Sequence, residues 1–123
     1  MRIFKNKMFF KWAKSEGLTD SILIKAAKEI DQGLIDANLG GNLIKKRVAR
    51  KGQGKRGGFR TIVVYQKEHR TVFVYGFPKS QRDNIDEQEE RALKKLAKGL
   101  LDAPDSELKE MIANGDLYEV NHE

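Results

Sequence analysis

Residues 43–60 read "LIKKRVARKGQGKRGGFR" and gather most of the side chains on which chemistry can be built. Lys45 and Arg47 stand two apart in a β-type run, so they leave the same face of a strand. Lys46 lies between them, and Arg50, Lys51, Lys55, Arg56 and Arg60 follow around four glycines. From Asp36 to Glu68 there are nine Lys or Arg and no acidic residue between the two ends. Solubility is served by charge of either sign, whereas a window of one sign fits a polyphosphate. Glycine adds to this, because a backbone without Cβ can approach a phosphate closely. Lys46, Arg50, Lys51, Lys55 and Arg56 are therefore the expected nucleic-acid contacts. Lys45 and Lys46 also suit the simpler task of keeping a strand edge soluble.

The same stretch contains a G-x-G-x-x-G at Gly52, Gly54 and Gly57, but its surroundings oppose a nucleotide cofactor. A dinucleotide fingerprint needs a helix to begin at the loop, and here the β-type run "FRTIVVYQ" follows. A P-loop needs Ser or Thr after its lysine, and Lys55 is followed by Arg56. No cofactor is expected. The chain has no cysteine, which excludes disulfides, zinc thiolates and a cysteine nucleophile. Its acidic residues fall in helical segments rather than at ligand spacing beside histidines, so no metal site is expected. Of the two histidines, His69 falls in a turn and His122 next to the end. Neither has a recognisable partner for acid–base work.

With 123 residues, 39% hydrophobic and 34% charged, the chain suits one domain with a modest core. The net charge of +6 agrees with a polyanionic partner. No apolar run reaches the length of a membrane span, and the first residues carry no signal-peptide core. The expected address is the cytoplasm, away from membranes.

The elements that must position these cations follow from periodicity. "RIFKN" reads as a short strand or an early helix start. Met8, Phe9, Trp12 and Ala13 recur at helical spacing up to Gly17. Ile22, Leu23, Ala26, Ala27 and Ile30 form a second stripe, closed by Gly33. "DANLGGN" reads as a loop. Three β-type runs follow over 43–50, 59–66 and 71–77, the last two joined by the turn "KEHR". Those two runs are apolar on both faces, so both sides of the sheet should be covered. A third helix starts at Asn84 or Asp86, and a fourth can hold Pro104 in its first turn. "DLYEV" reads as a last strand or a loose tail.

Taken together, "GGNLIKKRVARKGQGKRGGFRTIVVY" and "VFVYGFPKSQRDNI" resemble the RelE/HigB family of type II toxin–antitoxin toxins, and most closely its HigB-like branch. The motifs are K-x-R on the first central run, G-K-x-G-G-x-R at the turn and F-x-K-S-x-R-D-N after the last run. The resemblance covers residues 1–101 as a toxin domain, with residues 102–123 expected to continue it. It implies an α+β fold in which helices pack on an antiparallel sheet of about four strands. It also implies a ribosome-dependent endoribonuclease that cuts mRNA by attack of the 2′-hydroxyl on the adjacent phosphate, silenced by a cognate, DNA-binding antitoxin. A related branch, resembling ParE, shares the fold and poisons DNA gyrase without cutting RNA. A plain RNA- or DNA-binding module is the third reading.

Such cleavage needs a base, an acid and cations around the phosphorane. With no histidine pair, Lys and Arg remain. The resemblance makes Arg60 the contact to the scissile phosphate and sets Lys79 and Arg82 beside it, with Lys45 and Arg47 completing the expected catalytic set. A lysine crowded by other cations loses proton affinity and can act as base. Arg82 also suits a pair with Asp83 or Asp86. Some relatives have Lys-Arg adjacent after the last strand, where this chain has Lys79-Ser80 with Arg82 further on. A tyrosine that some relatives place in the next helix has no counterpart near residues 84–90. Base stacking then falls to Phe59 or Phe77, each of which also suits a core.

Overall fold

Asn6 ends the first strand and starts the first helix with one side chain. Its Oδ1 accepts the Phe9 N–H at 2.8 Å, and its Nδ2 donates to the Val74 carbonyl at 3.1 Å. In the computed structural model, which describes residues 1–50 and 54–122 and only the backbone of Arg50 and residues 54–57, strand β1 is Arg2–Asn6 and helix α1 is Lys7–Glu16. Gly17, left-handed at φ 71°, closes α1, and α2 runs Asp20–Asp31. The sheet continues with β2 (Ala37–Gly40), β3 (Leu43–Arg50), β4 (Gly54–Gln66) and β5 (Arg70–Pro78). Helices α3 (Glu87–Asp102) and α4 (Asp105–Ala113) and strand β6 (Leu117–Val120) complete the chain.

Six strands lie in the order β2-β3-β4-β5-β1-β6. The chain is α+β, but the expected sheet of about four antiparallel strands is corrected: there are six among the described residues, and β1 runs parallel to β5. β1 is inserted between β5 and β6, a pairing across some 68 residues that local periodicity does not reveal. β2 was hidden by the Asn and Gly of "DANLGGN", which form a strand and a tight turn there. The glycine-rich connection is also shorter than expected, since Gly54 already pairs with Arg50 on β3.

Alternation divides the central strands between two cores. Ile44, Val48, Phe59, Val63 and Phe73 face α1 and α2, meeting Phe9, Leu23, Ala27 and Ile30. Leu43, Ile62, Val64, Val72 and Phe77 face the other way, meeting Ala97 and Leu100 of α3, Leu108 of α4 and Leu117 of β6. The result is an α/β/α arrangement with both faces of the sheet covered. A bulge between Ile62 and Val63 changes the phase of β5, so Tyr75 and Phe77 join the second face.

Candidate nucleic-acid interface

The register of the three central strands carries the cations to one end of one face. Arg47 on β3 lies opposite Arg60 on β4, and Arg60 lies opposite Phe77 on β5. One step along, Lys45 faces Ile62, which faces Tyr75. Residues directly opposite on antiparallel strands stand about 5 Å apart at Cα and share a face. Two arginines in direct opposition are unfavourable unless anions compensate them.

Part of that compensation is built in. Arg47 Nε lies 3.0 Å from Asp36 Oδ1, and the other oxygen of Asp36 accepts the Arg47 backbone N–H. Arg82 lies over the Phe77 ring, 5.3 Å from its centroid, and forms a two-pronged pair with Glu89. Its Nε also donates to the Asn84 carbonyl at 2.9 Å. The rival partners Asp83 and Asp86 are thus replaced by Glu89, one turn into α3. Lys45 Nζ donates to the Asp83 carbonyl at 2.8 Å, tying β3 to the segment before α3. Lys79 is exposed, and its backbone N–H donates to the Gly58 carbonyl at 3.2 Å. Arg60 is only 3% exposed and is engaged within the fold.

Glu89 joins three elements. It accepts Arg82 and closes the capping box of α3, where its Oε1 takes the Asp86 N–H at 3.0 Å. Tyr75 of β5 is near enough to act on its charge. The bonds from Arg82, with smaller help from Asp86 and Tyr75, hold the Glu89 carboxyl down at about 2, from an ordinary 4.5. Burial, followed by the Glu89 charge, pushes Tyr75 up. A carboxylate with a lowered folded-state pKa stabilises the fold fully above its unfolded value and loses that contribution as pH falls toward the folded one. The melting temperature of the native chain is therefore expected to fall between pH 4.5 and about 2 more steeply than that of Glu89→Gln. Parallel melting curves against pH would remove Glu89 from this role.

Lys46 requires a correction. It was expected to contact nucleic acid, yet it points to the other face, is 4% exposed, and is held 2.9 Å from Glu29 Oε1 and 2.7 Å from the Leu34 carbonyl. Alternation separates it from Lys45 and Arg47, and α2 covers it. Lys51 lies outside the described residues, as do the side chains of Arg50, Lys55 and Arg56. Phe59 and Phe77 are core residues, 1% and 3% exposed, so neither offers a free ring. His69 sits in the β4–β5 turn and His122 Nε2 lies 2.8 Å from the Met1 carbonyl, both at the opposite end of the sheet from Phe77. Among the described residues, no group of His, Asp and Glu could hold a metal, and no helix is long and apolar enough to cross a membrane.

Tyr75 and Glu89 were not among the expected site residues. Glu89 carried a signal, since Asp-x-x-Glu before an apolar stripe is a capping-box pattern.

The family model described as the RelE toxin of the RelE / RelB toxin–antitoxin system matches residues 1–120. The chain belongs to the RelE toxin family. It is thus a toxin of a toxin–antitoxin system, with a cognate antitoxin as its partner. The match takes in α4 and β6 as well as the central strands. A search of curated proteins finds no match.

Proposed function

We propose that this RelE-family toxin, of the branch resembling HigB, binds the ribosome in the cytoplasm and cuts mRNA there without a metal or cofactor. One observation carries the reading: the cross-strand file of Arg47, Arg60 and Phe77, capped by Arg82, at one end of a single sheet face. The basic hairpin continues from that end. The cognate antitoxin is proposed to bind DNA as well as the toxin.

In the proposed reaction a ribose 2′-hydroxyl gives up its proton and attacks the adjacent phosphorus. The P–O5′ bond breaks, leaving a 2′,3′-cyclic phosphate and a 5′-oxygen that takes up a proton. Arg60 holds the phosphate oxygens, where a planar guanidinium supplies parallel donors and permanent charge, and Arg82, with its fork on Glu89, adds charge and its remaining N–H groups beside it. Asp36 and Glu89 hold Arg47 and Arg82 in place beforehand, so less reorganisation is needed when charge develops. Lys45 and Lys79 add positive charge at the rim, and a lysine of this set moves the protons.

The test is primer extension on a defined message in a reconstituted translation system, with and without ribosomes. Cuts that appear only with ribosomes are expected. An intact message under both conditions, together with loss of gyrase supercoiling, would overturn the reading in favour of ParE-type action.

A further inference from the structure

A second feature borders the cationic file without belonging to it. A cleft of about 300 Å³ opens between α1 and the end of β5, lined among others by Met8, Trp12, Tyr75, Gly76, Gln81 and Arg82. That volume is at the small end for ligand sites. It exists because β1 pairs with β5 only as far as Lys5 opposite Phe73, after which the chain turns into α1. The outer edge of β5 beyond Val74 is therefore left without a strand neighbour among the described residues.

The direction of the backbone groups on that edge follows from two bonds. Val74 O faces outward to the Asn6 side chain, whereas the Lys79 N–H faces inward to Gly58 O. Alternation then turns the Gly76 N–H and C=O outward, into the cleft. Trp12 closes the cleft from the α1 side, and a Cβ on Gly76 would stand 2.2 Å from its ring. Trp12 and Tyr75 are half-buried, and Met8 on the rim is 60% exposed.

We propose that this cleft receives an unstacked nucleobase of the RNA strand whose phosphate lies on Arg60 and Arg82. The assignment rests on the reading under Proposed function and adds a base subsite to it. Single-stranded RNA is held by aromatic side chains taking its splayed bases while cations hold its backbone. Here the two are continuous, because Arg82 lines the cleft and also lies over Phe77, the residue opposite Arg60. The edges of a base match the Gly76 donor and acceptor and the Gln81 amide. An extended peptide suits the edge less well. Strand addition draws on a run of main-chain bonds, and this edge offers one outward residue before Pro78, which has no N–H.

Trp12 is the only tryptophan, so its emission reports on the cleft directly. At low ionic strength, a short single-stranded RNA of mixed sequence is expected to quench it saturably, and an abasic strand of equal length and charge is not. Met8→Glu, a change on an exposed side chain that leaves the core intact, should weaken the quenching about tenfold, the scale of one lost base contact. Equal quenching by the abasic strand, or an unchanged response in Met8→Glu, would overturn the subsite. Quenching by an acidic, leucine-bearing peptide but not by RNA would overturn it too and give the cleft to a protein partner. Quenching by RNA from a chain that leaves messages whole on ribosomes would keep the subsite and sink the nuclease reading.

Discussion

Arg60→Lys is expected to leave a folded toxin that cuts ribosome-bound message about 10²–10³-fold more slowly, the usual loss when one donor to a developing oxyanion is removed. Arg60 sits on the central strand of the cluster, between Arg47 and Phe77, and at 3% exposure its side chain is fixed by its surroundings. Lysine keeps the charge but presents a compact ammonium where the site needs a planar fork. Alanine is the poorer probe, because it also removes packing and the contacts that Arg60 makes within the fold. Primer extension supplies the rate, while melting and co-purification with the antitoxin supply the controls. A lysine variant that melts and binds normally yet cuts at the native rate would remove Arg60 from the site. A fall in cutting matched by a fall in melting temperature would make its role structural.

Much of the scaffold could be read from local patterns, and the failures share one cause. The period-two runs located β3, β4 and β5, and the apolar character of the last two on both faces announced a sheet covered on both sides. Helical stripes located α1 and α2, whose buried Phe9, Leu23, Ala27 and Ile30 lie on the expected faces. What escaped depends on partners distant in sequence. β1 could be read as a strand, but nothing near Arg2 shows that it will lie parallel to Arg70. In β2, four residues rich in Asn and Gly become a strand only because β3 stands beside them. At the candidate site, alternation put Lys45 and Arg47 on one face of a strand, and β3 carries them so. The carboxylates that hold Arg47 and Arg82, Asp36 and Glu89, look from sequence like a loop residue and a helix-start residue.

Lys46 bears on stability through a buried ion pair. Lys46→Ala is expected to cost about 3–5 kcal/mol, the range for losing one member of a buried ion pair. With 5% of its side chain exposed, Lys46 meets Glu29, itself 18% exposed, at 2.9 Å. It also supplies the hydrogen bond to the Leu34 carbonyl, just past the end of α2. Removing the ammonium leaves the Glu29 carboxylate with less compensation in a place water reaches poorly, and empties the space the lysine stem filled. Changing both partners to methionine should recover most of the loss, because two apolar groups of similar volume need no compensation. Denaturant unfolding of Lys46→Met, Glu29→Met and the double variant closes this cycle. Losses that simply add would show that the pair contributes nothing as a pair. The same proteins test the change of role assigned to Lys46. Because it points away from the cationic face, the double variant should bind ribosomes with native affinity. Weakened binding by a double variant of native stability would return Lys46 to the interface.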